Sequence, residues 1–205
     1  SVAALADDLF PGHGPALADI WRTAQLDYTR ILTLCGRFRD FRALTEDGLL
    51  FAAKSLGLDL TAAKRDQLMG QYDRLQAFPE NLAVLKELKA RSLSLAVLSN
   101  GTPQMLENAA AAAGYADLFD HLLSVDAVQK FKTAPEAYQM APDAFDLDVS
   151  EIGFVSSNGW DVCGATWFGF QTFWVNRSSK PLDELGVTPK GEGRSLTDLL
   201  TFITA

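Results

Sequence analysis

The sequence predicts an α/β protein: a Rossmann-like parallel sheet core over 79–205, preceded by an all-helical subdomain over 1–78. Three observations predict it. Short apolar runs at 93–98, 121–125, 152–155 and 172–175 alternate with helical patterns, which is how right-handed βαβ units are written in sequence. Nothing before Pro79 reads as a strand, and the same stretch carries repeated helical periodicity. Polar side chains gather where the apolar runs end, the place where an open α/β sheet binds ligands.

The elements follow in order. Leu17, Ile20, Trp21, Ala24, Tyr28, Ile31 and Leu32 keep i, i+3, i+4 spacing, an amphipathic helix behind the Gly- and Pro-containing stretch 12–15. Thr45-Glu46-Asp47 opens a second helix, with acidic residues suited to its N-terminus, and Gly57 ends it. Thr61 begins a third, through Leu68 to Leu75. Beyond Pro79 a helix over 82–89 leads to the first strand, 93–98, and then the turn Ser99-Asn100-Gly101-Thr102. A helix over 103–113, a strand over 121–125 and a helix after Pro135 come next. A strand over 152–155, a helix from Trp160, a strand over 172–175 and a closing helix over 195–203 complete the pattern.

Composition bounds the function. The 205 residues are 48% hydrophobic and 21% charged, an ordinary globular balance that excludes disordered, collagenous and disulfide-framework classes. Eighteen basic against 26 acidic side chains give a net charge of −8, and no local basic patch offsets it, so nucleic acid is not an expected partner. Cys35 and Cys163 lie far apart with no metal-ligand spacing, which reads as free thiols in a reducing compartment and no metal site. No apolar run reaches the length of a membrane span and no signal-peptide pattern is present, so the expected location is cytoplasmic, with no membrane partner.

The candidate chemistry lies at three strand ends. The first supplies Ser99 and Asn100, with Gly101 freeing backbone N–H groups; the loop after the second presents Lys132; the third supplies Ser156, Asn158 and Asp161. Each alone has a bland reading: a turn with a helix cap, a solvated lysine, a first-turn aspartate favoured by the helix dipole. Their joint placement at consecutive strand ends favours a polar active centre over all three.

Leu98-Ser99-Asn100, Phe131-Lys132 and Val155-Ser156-Ser157-Asn158-Gly159-Trp160-Asp161, in this order, resemble the second, third and fourth motifs of the haloacid dehalogenase superfamily, and within it the L-2-haloacid dehalogenases. The likeness covers nearly the whole chain, including Phe10-Pro11-Gly12, Trp21-Arg22, Gln25-Leu26, Tyr28-Thr29 and Thr45-Glu46-Asp47. Superfamily phosphatases usually carry acidic residues in the fourth motif to hold Mg²⁺; here the first acidic position is Asn158, which points to cofactor-free chemistry.

The resemblance implies hydrolysis of short L-2-haloalkanoic acids to D-2-hydroxy acids. An aspartate displaces halide with inversion, and water then cleaves the aspartyl ester. Lys132 would pair with that carboxylate; at ~4 Å and an effective dielectric of ~20 the attraction is worth up to ~4 kcal/mol. Ser99 and Ser156 would position the carboxylates, Asn158 and Asp161 the hydrolytic water, and Tyr138 matches another catalytic position. Arg22 would face the leaving halide, where a weakly hydrated guanidinium suits an anion. Asn100 would bind halide or the substrate carboxylate, and Leu26, Phe41 and Trp160 would form the apolar wall.

There are departures. Thr23 stands where relatives commonly have Gln and Thr133 where Pro is usual, while His13 and His121 match nothing in the mechanism. No Asp followed closely by Gly-Thr-Leu occurs, so the nucleophile is expected on a strand roughly 15–20 residues upstream of Ser1. That strand would be central, between the strands ending at Ser99 and Val125 and the one ending at Val155. A homodimer is expected by the same likeness. The competing readings are a Mg²⁺-dependent phosphatase, against which Asn158 counts, and an inactive binding module, against which the intact set Lys132, Ser156, Asn158 and Asp161 counts.

Overall fold

A computed structural model describes residues 2–71 and 77–203. By contacts these divide into two units, one of 2–71, 99–113 and 124–131, the other of 77–98, 114–123 and 132–203.

Up to residue 71 the first unit is helical, as expected: α1 (Val2–Leu9), α2 (Gly14–Leu34), α3 (Phe41–Ser55) and α4 (Ala62–Gly70). Pro15 enters α2 in its first turn, where a missing N–H costs no helical bond. Helix α3 starts earlier than Thr45. Asp40 caps it, its carboxylate accepting from the Ala43 N–H at 2.9 Å, which places Thr45 in the second turn. Thr61 caps α4 through the Lys64 N–H, and the expected continuation to Leu75 lies outside the described residues. Leu17 and Trp21 of α2 close on Leu49 and Ala52 of α3 and on Leu68 of α4. Full burial of side chains such as Leu17 and Leu49 contributes roughly 1.5–3 kcal/mol each. This unit also holds α6 (Pro103–Ala112), capped by the Thr102 hydroxyl.

The second unit is α/β. Strands β3 (Gly153–Ser156), β4 (Gln171–Val175) and β5 (Gly191–Gly193) form a parallel sheet in the order β3-β4-β5. Phe154 pairs with Thr172 and Ser156 with Trp174, so these four share one face. That face meets α8 (Gly159–Phe168), to which Thr172 is tied by a hydroxyl–hydroxyl bond with Thr166 at 2.8 Å, and α7 (Pro135–Phe145), which adds Tyr138 and Ala141 to the same core. Phe173 and Val175 point the other way, onto Val84 and Leu88 of α5 (Asn81–Ala90) and Leu199 of α9 (Leu199–Phe202). Helices thus cover both faces, which is why β4 is buried along nearly its whole length.

Strand β1 (Ala96–Ser99) pairs with β2 (His121–Ser124). The strand expected from residue 93 starts at Ala96, because Leu95 is occupied elsewhere: its N–H donates to the Asp120 carboxylate at 2.7 Å and its carbonyl accepts from the Asp120 N–H at 2.7 Å. Val125 is likewise not strand but the start of a 3-10 turn, Val125–Ala127, and the closing segment is a 3-10 turn, Leu196–Asp198, running into the short α9.

Candidate active site

The third apolar run ends at Ser156, the last residue of β3, and after one connecting residue Asn158 takes the N-cap position of α8. Gly159 and Trp160 begin the helix, and Asp161 sits in its first turn, where the helix dipole favours a carboxylate. Period two along β3 puts Ser156 on the face of Phe154, toward α8. The Ser156 hydroxyl accordingly donates to Asp161 Oδ2 at 2.9 Å while accepting from the Asn158 N–H at 3.2 Å.

Two further groups close on the same carboxylate. Lys132 Nζ lies 3.2 Å from Asp161 Oδ2, and the Tyr138 hydroxyl donates to Asp161 Oδ1 at 2.8 Å. The ion pair is buried: Lys132 is 8% and Asp161 4% exposed, and Tyr138 is 1% exposed. Lys132 also stands 4.9 Å above the Phe154 ring centroid, a cation–π contact. Burial pulls the Lys132 ammonium below the ordinary lysine value, and Asp161 pulls it back up. Burial, reinforced by the Asp161 charge, holds the Tyr138 phenol far above its ordinary value, so Tyr138 is a permanent neutral donor. Both Asp161 oxygens are thus engaged by donors, and the neighbouring amide of Asn158 adds no negative charge. This donor set suits the handling of water and carboxylates better than the capture of a hard divalent cation.

The first unit holds the remaining predicted residues. Ser99 ends β1, and its hydroxyl accepts from the Gly101 N–H at 3.0 Å, the local turn bond its sequence context suggests. Asn100 follows, buried, and the Ser124 hydroxyl fixes the turn by donating to the Gly101 carbonyl at 2.7 Å. Arg22 projects from the exposed side of α2, with Leu26 half-buried one turn later. Phe41 opens α3, its ring 6.3 Å from that of Phe131, which in turn stacks on Phe38 at 5.1 Å.

Lys132, Tyr138, Ser156 and Asp161 therefore form one hydrogen-bonded group in the second unit, which also contains Asn158 and Trp160. Arg22, Leu26, Phe41, Ser99 and Asn100 belong to the first. Sequence reading missed Phe154 and Thr33. Phe154 looks like any strand phenylalanine, although its place two residues before Ser156 was a usable signal. Thr33, whose hydroxyl accepts from the Phe131 N–H at 3.2 Å, carried none.

Comparison with known proteins identifies the family. A sequence profile of haloacid dehalogenase-like hydrolases matches residues 4–169. The (S)-2-haloacid dehalogenase of Pseudomonas sp. strain YL is 47% identical over 196 residues, covering 96% of this chain and 84% of that protein. The crystal structure of an L-2-haloacid dehalogenase superposes with a TM-score of 0.98 at 51% identity, covering 100% of this chain and 92% of the other. The L-2-haloacid dehalogenase of Xanthobacter autotrophicus with chloropropionic acid covalently bound gives 0.90 at 31% identity, covering 100% and 94%.

Proposed function

The chain belongs to the haloacid dehalogenase-like hydrolases, and from that premise we propose that it hydrolyses short L-2-haloalkanoic acids to D-2-hydroxy acids through an aspartyl ester. The observation that carries this reading is the buried Lys132–Asp161 pair, with the Tyr138 and Ser156 hydroxyls on the same carboxylate. The relative with chloropropionic acid covalently bound supports a covalent intermediate.

Lys132, Ser99 and the other residues of the site serve the attacking carboxylate. A carboxylate oxygen attacks Cα opposite the halogen, the new C–O bond forms, and the C–halogen electron pair leaves as halide. Lys132 holds the attacking carboxylate ionised, Arg22 and Asn100 receive the halide or the substrate carboxylate, and Ser99 orients the nucleophile. Leu26, Phe41 and Trp160 keep water from the reacting carbon. Water held by Asn158 then adds to the ester carbonyl and yields one proton to Asp161; the acyl C–O bond breaks, the hydroxy acid leaves with that proton, and the attacking carboxyl releases the other to solvent as it returns to the carboxylate. Tyr138 and Ser156 keep Asp161 in place through both steps.

On this reading 1–78 is the cap and 79–205 the core, and the protein works in the cytoplasm, where Cys35 and Cys163 remain free thiols. Among the described residues no helix is long and apolar enough to cross a membrane. Ile31 and Leu34 of α2 and Leu50 and Phe51 of α3 are exposed, and we assign this apolar face to a homodimer contact, to be checked by analytical ultracentrifugation of Leu34→Glu, expected as monomer.

The test of activity uses the protein from its complete gene with L-2-chloropropionate. The expected outcome is chloride and D-lactate release that persists in EDTA. Absence of chloride release, whether or not a phosphate ester is cleaved with Mg²⁺, refutes the proposal.

A further inference from the structure

Gly164 lies three residues beyond Asp161 on α8, so the two share a side of the helix, and it is buried. Its backbone is not in the left-handed region, and a helix interior disfavours glycine relative to alanine, so conformation does not call for this residue. Space does. A β-carbon at Gly164 would stand 2.6 Å from the Tyr138 hydroxyl oxygen and 2.7 Å from Thr133 Cγ2, closer than real β-carbons come to other atoms.

The two groups that occupy this gap are the two arms of the carboxylate network. The Tyr138 hydroxyl is the 2.8 Å donor to Asp161 Oδ1. Thr133 directly follows Lys132, whose ammonium is the 3.2 Å partner of Asp161 Oδ2. A side chain at position 164 would push on both at once.

We propose that Gly164 is a positioning residue of the reaction: its missing side chain is the seat that lets Tyr138 and the Lys132–Thr133 segment close together on Asp161. Only the kinetic readout rests on the dehalogenation reading.

The experiment compares wild type, Gly164→Ala, Tyr138→Phe and the double variant in the complete protein, with L-2-chloropropionate. Gly164→Ala is expected to lower kcat about 10–100-fold with KM within about threefold, and to separate the Tyr138 oxygen from Asp161 Oδ1 beyond hydrogen-bond range in a crystal structure. In the Tyr138→Phe background, where the displaced hydroxyl is already gone and only the Thr133 contact remains, the same substitution is expected to cost several-fold less than in wild type. An unchanged kcat in Gly164→Ala, or the same loss in both backgrounds, overturns the proposal. Should Gly164→Ala not fold, Thr133→Ala/Gly164→Ala, which clears the methyl at 2.7 Å, carries the same comparison against Thr133→Ala. If wild type itself releases no chloride, the dehalogenation reading alone falls. Urea unfolding of the four proteins then decides: non-additive losses for Gly164 and Tyr138 support the seat, and additive ones overturn it.

Discussion

Each unit of this molecule buries a small polar cluster, and the two are built from opposite kinds of group. In the helical unit the Trp21 indole donates to the Thr45 carbonyl at 2.6 Å, Gln25 Nε2 donates to the Thr45 hydroxyl at 2.7 Å, and that hydroxyl donates to the Phe41 carbonyl at 2.7 Å. Every member is neutral. In the α/β unit the centre is an ammonium and a carboxylate, Lys132 and Asp161, trimmed by two hydroxyls. A satisfied neutral cluster is inexpensive to bury and locks α2 onto α3, whose Gly48 approaches the α2 backbone closely. A buried ion pair loses hydration that its own attraction only partly restores, so apolar residues of the same volume would serve stability as well or better. The contrast separates scaffold from site: buried polarity alone marks neither, whereas buried charge marks the place where stability was not the criterion.

Substitutions sharpen that contrast, beginning with the largest effect. Lys132→Ala is expected to cut chloride release by about a thousandfold or more while the far-ultraviolet circular dichroism stays native; near-normal turnover would erase the distinction between the clusters. Next comes pH. Burial holds the Lys132 ammonium below the ordinary lysine value, so kcat/KM should fall about tenfold per unit along an alkaline limb centred below about 10.4. Between the lowered folded value and the unfolded one the unfolded chain binds more protons, so stability rises with pH in that window relative to Lys132→Met. A limb at or above the ordinary lysine value would show that the pair is not desolvated.

Tyr138→Phe removes one neutral donor from the buried Asp161 carboxylate and is expected to lower kcat about 10–100-fold, with about 1–3 kcal/mol lost in urea unfolding. Thr45→Val, the counterpart in the neutral cluster, leaves the Gln25 amide without its acceptor. It should cost about 1–3 kcal/mol of unfolding free energy and leave kcat within about twofold, as read by urea titration and chloride release. A large kcat loss there would mean that the helical cluster serves the chemistry directly.

The parts legible in sequence were those with a local cause. β3 and β4 were readable because β-branched and aromatic residues, Phe154-Val155 and Thr172–Val175, run up to a polar stop, and Lys132, Ser156 and Asp161 because strand ends are where such folds place ligands. β5 was not readable: two of its three residues are glycine, and pairing with Phe173–Val175 rather than side-chain pattern makes it a strand. The start of α3 was missed because Asp40 precedes Phe41-Arg42, which lack the apolar period that would have announced a helix, although the cap itself was visible. Phe154 and Gly164 were hidden for another reason. Their contributions are a ring under an ammonium and an empty volume, and both come into being only when α7, α8 and β3 are packed together.

The bonds from Trp21 and Gln25 to Thr45 have a rotational consequence. Successive residues of a helix are turned by about 100° about its axis, so two anchors one turn apart fix the phase of α2 as a key fixes a shaft. Arg22 and Leu26 each follow an anchor by one residue, and their azimuth is therefore dictated by the bonds their neighbours make. Inserting a single residue ahead of Trp21 would leave the helix amphipathic only by turning it, whereas one inserted between Arg22 and Gln25 would put the two anchors out of phase. Arg22 would then point in a direction set by whichever anchor survived.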